Sequence, residues 1–455
     1  MNEESGLSRR KFIAAGSATV AGSILAPTLS FGSAADRYRG TSGRRDKMRM
    51  ALVGTGVRGI TMWGQSVAEE YVDHVEIVGL CDINPGRLAH AKQYIGVECP
   101  TFTDFDEMLR TVNPQVVTVT TVDDTHDQFM VKAMQAGADV VVEKPMTTDE
   151  VKCQAIIDAQ QATGRNITVT HNYRYSPHRV AIKEMLMNGR IGDVTSVDFH
   201  WYLDVYHGAD YFRRWHGKER HSGTLFVHKA SHHYDLLNWW LDSEPEEVFA
   251  HAELEYYGKN NDFRHTNCRG CPHQSVCDHY WDITENEFNM NLYVANEHHD
   301  GYLRDGCVWD EEIDIFDKMA AQIKYANGTV VSYSCTTYSP YEGYRIAFNG
   351  SEGRIDAWIK ERQPWESEDF DEIRVTDNFG ETELVRIPHA GGGHGGGDVR
   401  LKNSIFVDAS APDPYGLSAD MRQGAMAILP GIAAAKSART GDVVQIASLT
   451  SLIPE

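Results

Sequence analysis

Past its first thirty-odd residues the chain has no run of about 18 uncharged apolar residues, so the mature protein carries no helical membrane span. It has no block of Lys and Arg outside the N-terminus, and 43 basic against 65 acidic side chains leave a net charge of −22. That field repels phosphate backbones and anionic lipid surfaces, which argues against nucleic-acid or membrane-surface partners and for a small neutral or cationic one. No internal repeat is apparent. What is present is a chain of 455 residues, 42% hydrophobic, enough for two or three domains at about 150 residues each.

Ser8-Arg9-Arg10-Lys11-Phe12-Ile13 precedes a Gly- and Ala-diluted apolar stretch to about Leu29, then Ser33, Ala34 and Ala35. Residues 1–35 therefore read as a twin-arginine export signal. Gly16, Gly22, Pro27 and Gly32 argue against a stable amphipathic helix there. The expected partner is the twin-arginine machinery and the expected destination the periplasm. Residues 36–47 read as a linker.

From Met48 a short apolar strand leads into Gly54-Thr55-Gly56-Val57-Arg58-Gly59 and a helix-compatible segment, Ile60 to Tyr71. In this G-x-G-x-x-G spacing Gly54 permits a tight turn and Gly56 a close backbone approach to a pyrophosphate. Gly59 allows helix and strand to pack, with Val57 and Arg58 at the helix start. A second strand, Val75 to Cys81, ends at Asp82, 23 residues after Gly59, where a carboxylate suits ribose hydroxyls and repels a 2′-phosphate. NAD is preferred over NADP, although Arg87 stands near enough in sequence to meet a phosphate. Strands at Val116 to Thr120 and Asp139 to Val142 alternate with helices at Phe105 to Arg110 and His126 to Ala136. The pattern predicts a doubly wound parallel sheet over 48–170 with its ligand at the strand carboxyl ends. Thr121, Asp123, His126, Glu143 and Lys144 lie at those ends.

Glu143-Lys144-Pro145, His171-Asn172-Tyr173-Arg174-Tyr175, the H-x-x-D run His232 to Asp235 and Tyr344 to Gly353 make the chain resemble the Gfo/Idh/MocA oxidoreductases, named for glucose-fructose oxidoreductase and inositol dehydrogenase. The resemblance implies a second α/β domain, 171–455, with an open, mainly antiparallel sheet used in homo-oligomer contacts. It also implies a nicotinamide in the interdomain cleft and a sugar, polyol or glycoside substrate. Lys144 maps onto the family's catalytic lysine and His232 onto its H-x-x-D histidine.

Lysine can take the proton left by hydride transfer only if its pKa falls, which burial or neighbouring cations achieve. Lys229, His228, His232 and His233 are candidates to surround it. Many family members carry D-x-G-x-H-x-x-D. Here His228 stands at the first Asp and Ala230 at the Gly, so an acid has become a base. A helix over Val227 to Leu241 would put His228, His232 and Asp235 on one face. Candidate sugar contacts are Arg174, Tyr175, Trp201, Tyr202, Asp204, Tyr206, His207, Tyr211, Arg214, Trp215, His216, His232 and Asp235, although aromatic side chains more often fill cores. The glycine run around His394 and Asp398 reads as a mobile segment, either a lid or a solvent loop.

Cys268, Cys271, Cys277 and Cys307 cluster in a polar insertion over 262–310, with His265, His273 and His279 nearby. Four such thiols suit a structural zinc ion; two disulfides or an iron–sulfur cluster are the alternatives. Cys81, Cys99, Cys153 and Cys335 read as buried thiols. Apolar residues at helical spacing from Ser418 to Ser437 predict a core helix, kinked at Pro430.

Three functions fit. The first is an exported NAD-dependent oxidoreductase on a sugar or glycoside hydroxyl. The second, found in exported relatives such as glycoside hydrolase family 109, is redox-neutral glycoside hydrolysis by transient oxidation, elimination, hydration and reduction. The third is a scaffold that keeps NAD structurally, against which intact Lys144 and His232 argue.

Overall fold

The computed structural model describes residues 47–455, so the expected export signal and almost all of the expected linker lie outside it. Six strands form the first sheet: β1 (Met48–Val53), β2 (Val75–Cys81), β3 (Thr101–Phe102), β4 (Val116–Val119), β5 (Asp139–Val142) and β6 (Ile167–Val169). All pairs are parallel, in the order β3-β2-β1-β4-β5-β6. The buried stretches Met50–Val53 of β1, Val116–Val119 of β4 and Val140–Val142 of β5, apolar except for Thr118, follow from burial on both faces, as crossover helices require. The order reverses between β1 and β4, which opens a crevice at their carboxyl ends.

The second sheet holds β7 (Val194–Asp204), β8 (Pro245–Glu253), β9 (Lys318–Tyr325), β10 (Val330–Ser339), β11 (Glu342–Gly350), β12 (Gly353–Arg362), β13 (Phe370–Asp377), β14 (Thr382–Pro388) and β15 (Val444–Gln445). Its order is β14-β13-β12-β11-β7-β10-β9-β8-β15, antiparallel except where β7 meets β10. Strict alternation of buried and exposed residues along β9 and β10 shows a one-sided sheet. Its inner face carries the helix Ala230–Leu241, backed by Met421–Thr440. Gly431 fits that contact: a Cβ there would come within 2.1 Å of the Phe226 carbonyl oxygen. The approach seats the helical segment Leu225–His228 on Met421–Thr440. Pro430 is accommodated inside Met421–Thr440, which runs unbroken through it. Among the described residues no helix is long and apolar enough to cross a membrane.

Candidate active site

The glycine motif forms as its spacing requires. Gly54 has φ +93°, and a Cβ there would lie 2.6 Å from the Thr120 backbone; one on Gly59 would lie 2.1 Å from the Gly54 oxygen. Gly56 differs, since a Cβ would meet nothing closer than the Tyr293 hydroxyl at 3.5 Å. Protein packing does not demand glycine there, whereas an approaching dinucleotide does, so the loop fits the cofactor. Asp82 is buried at the end of β2 and accepts from Thr55 N (2.7 Å), Thr55 Oγ1 (2.9 Å) and Asn84 N (2.8 Å). Arg87 is held between Asp82 (3.5 Å) and Asp300 (2.6 Å).

Lys144 follows β5. Its Nζ donates to the His228 carbonyl at 2.9 Å and lies 3.3 Å from His228 Nε2. His228 Nδ1 lies 2.5 Å from an Asp123 carboxylate oxygen. The carboxylate fixes the tautomer: with Nδ1–H on Asp123, Nε2 keeps a lone pair for Lys144. Burial, helped by Lys229, pulls the Lys144 pKa down to about 8 against the opposing pull of Asp123. Burial, then Lys144, pushes the His228 pKa well below its usual value, and burial pushes that of Asp123 well above. The acid missing from position 228 is thus supplied from the first domain, 105 residues earlier. Asp123→Asn replaces a group that can only accept with an amide that can also donate to Nδ1, so the tautomer is no longer dictated, and a fall of at least about 10²-fold in the rate of bound-cofactor reduction is expected in single-turnover experiments.

His232 stacks on Tyr173 with ring centroids 3.9 Å apart, and Lys229 donates to the Tyr173 hydroxyl at 3.0 Å. His232 Nδ1 and Asn172 Oδ1 are buried without a hydrogen-bond partner, as expected of atoms that a ligand completes. Burial, then Lys144 and Lys229, lowers the His232 pKa well below its usual value.

The glycine-rich segment is docked on this wall. His394 has φ +53° and its Nδ1 is 3.1 Å from Asp398, which also accepts from Asn172 (2.5 Å) and Arg58 (3.4 Å). Arg58 donates to Glu143 at 2.8 Å, as Trp63 does at 2.7 Å. Despite burial, His394 and Arg58 hold Asp398 well below the usual carboxylate range.

The remaining candidates divide. Tyr211, Trp215 and His216 surround His228, and Tyr206 and His207 line an open cleft of about 680 Å³ with Asp210, Trp281 and Arg362. Arg214 pairs with Asp210 at 2.9 Å. Asp204 caps the following helix through Tyr206 N and His207 N. Trp201 is fully buried, and Tyr202 packs on Tyr341. Arg174 and Asp235 are buried and bound to each other at 2.9 and 2.5 Å. Tyr175 is buried against Ser404. His126 bridges the Pro145 and Thr121 carbonyls at 2.9 and 3.2 Å, and the Thr121 hydroxyl accepts from Thr125.

Two family models match the chain: an oxidoreductase family's NAD-binding Rossmann fold over residues 48–171, and its C-terminal alpha/beta domain over 183–446. The chain belongs to the Gfo/Idh/MocA oxidoreductases. A Bacillus subtilis protein named "Putative oxidoreductase YteT" is 37% identical to this family member over 410 residues, 84% of this chain and 94% of its own. An inositol 2-dehydrogenase/D-chiro-inositol 3-dehydrogenase of Lactiplantibacillus plantarum is 26% identical over 174 residues, 38% of this chain and 47% of its own. Among solved structures, a levoglucosan dehydrogenase in complex with NADH and levoglucosan superposes with a TM-score of 0.63 at 19% identity, covering 88% of this chain and all of the other, which bears on the fold.

Against that family frame, the zinc expectation needs correction. Cys268, Cys271, Cys277 and Cys307 do line one small cavity, but all are free thiols. No group of three or more His, Cys, Asp or Glu among the described residues is disposed to hold a metal ion. The Arg213 guanidinium donates to the Cys268 sulfur at 3.0 Å. The disulfide alternative is absent as well. Sequence reasoning also passed over Asn172 and Tyr173, which sit inside a quoted motif. It missed Tyr293, whose hydroxyl accepts from Val57 N at 2.9 Å across 236 residues and which no local signal marks.

Proposed function

We propose that this oxidoreductase is exported by its twin-arginine signal and uses NAD to oxidise a hydroxyl of a sugar or glycoside, with Lys144 as the base. The observation that carries the reading is the buried Lys144 ammonium, its pKa depressed, in contact with a His228 imidazole that Asp123 orients. NAD, when bound, supplies the hydride acceptor. Neutral Lys144 Nζ receives the substrate hydroxyl proton, held in place by its contacts with His228. His232 and Asn172 offer their free polar atoms to the sugar, which enters past Tyr206 and His207. Levoglucosan in the levoglucosan dehydrogenase complex is in keeping with a carbohydrate substrate. Exposed Trp358 on β12 and Trp365 in the loop after it suit a homo-oligomer contact.

Oxidation needs Lys144 unprotonated, so the rate rises with pH. Below about 8 the rate of single-turnover cofactor reduction should climb about tenfold per pH unit and then level off. A profile flat from pH 6 to 9 would remove Lys144 as the base.

The His394–Asp398 dyad favours redox-neutral glycoside cleavage as a second reading. Elimination needs another base for the C–H beside the new carbonyl, and the His394 ring lies 6.5 Å from that of His232. Incubating the mature holoprotein with glycosides in deuterated water separates the two. Net carbonyl and reduced cofactor support the dehydrogenase; aglycone release with deuterium beside the oxidised carbon supports the hydrolase. Neither product, with Lys144→Ala indistinguishable from the parent, leaves an NAD-holding scaffold.

A further inference from the structure

Between β8 and β9 the polar insertion leaves the second domain and reaches the first. Its helix Glu287–Leu292 and the turn Val294–His299 pack on the helix Pro85–Ile95 of the first domain rather than on their own sheet. Leu292 is fully buried in the core cluster around β1 and β2, and Phe288 packs edge-on against Tyr94 at 5.4 Å. The Tyr293 hydroxyl accepts from the Val57 amide at 2.9 Å, beside the glycine turn. Asn84 Nδ2 donates to the Asn296 carbonyl at 2.9 Å. Gly86 is so close to Asn296 that a Cβ would fall 2.1 Å from its side-chain oxygen. Asp300 then pairs with Arg87 at 2.6 Å, beside Asp82.

We propose that residues 287–300 form a clasp over the adenosine and pyrophosphate end of the NAD site, which slows cofactor exchange and, through Asp300, selects NAD over NADP. The proposal rests on the NAD reading of the cleft. Its contacts fall on the glycine loop, on the turn after the ribose-binding acid and on the first turn of the following helix, the three places that define the adenosine half of such a site. Release requires the segment to lift, which breaks the Tyr293, Asn296 and Asp300 contacts together. The lift is resisted from the other side. Arg269, between Cys268 and Cys271, binds Glu297 at 2.6 Å and the buried Asp305 at 3.0 Å, tying the clasp to the cysteine loop. Selection follows from charge. Arg87 is the cation that a 2′-phosphate would recruit, and Asp300 occupies it while adding a second carboxylate next to Asp82.

The test is isotope exchange on the full mature holoprotein. Protein loaded with NAD is mixed with excess NAD bearing a deuterated nicotinamide, and the bound pool is followed by mass spectrometry. Exchange should take hours in the parent and be at least tenfold faster in Tyr293→Phe and in Arg269→Met. Should Arg269→Met fail to fold, Tyr293→Phe, which keeps the ring, decides. Asp300→Asn should raise NADP affinity at least tenfold relative to NAD in direct titration. Parent exchange within seconds, or variants that exchange at the parent rate, overturns the clasp; an unchanged NADP to NAD ratio in Asp300→Asn overturns the selection. If no form takes up a dinucleotide, the NAD reading itself fails, a result distinct from fast exchange.

Discussion

Lys144→Met is expected to slow reduction of the bound cofactor by sugar about 10³-fold while the dinucleotide stays bound. Methionine keeps the apolar stem at the β5 end and deletes only the group that takes the proton. The contacts of Gly54, Gly56 and Asp82 lie elsewhere, so co-purifying NAD should be unchanged. Lys144→Arg should do no better, because a guanidinium stays protonated at every accessible pH. Stopped-flow absorbance of the reduced nicotinamide gives the rate, and mass spectrometry of the denatured protein gives the occupancy. A Met variant within tenfold of the parent would move the base elsewhere.

The second large effect is structural. Arg174 and Asp235 are a buried bidentate pair, with the Arg174 guanidinium also donating to the Gly416 carbonyl at 2.9 Å. Arg174→Met strands a carboxylate without water and should cost about 3–5 kcal/mol. The corresponding fall in Tm is on the order of 10 °C. Adding Asp235→Leu should recover much of the loss, since the penalty comes from the uncompensated charge rather than from the missing attraction. Calorimetry of the two variants checks this; losses that simply add would show the residues to be independent. The pair also explains why these side chains, attractive as sugar contacts in the sequence, face each other.

What the sequence made legible was local. The strand, glycine turn, helix and Asp82 of the first domain lie within a few dozen consecutive residues, and each step carries its own stereochemical signature. The helix bearing His232 was equally readable, except that it is interrupted at Lys229 between Leu225–His228 and Ala230–Leu241. Long-range partners were not readable. Nothing near His228 announces that Asp123 will meet it, and Tyr293 lies in a polar stretch whose cysteines drew attention to metal chemistry instead. In the glycine segment, expected from composition to be mobile, Gly397 packs closely on Asn172 and the chain runs directly into the helix Gly397–Phe406. Glycines there serve close contact as well as motion.

The carboxylate that orients the imidazole belongs to one domain and the imidazole to the other. Rotation that parts the two by even a few ångströms severs the link, after which Nδ1–H has no fixed acceptor and the lysine loses its partner. On the proposed role of Lys144, proton transfer would be competent only with the two domains together, which would tie turnover to domain closure.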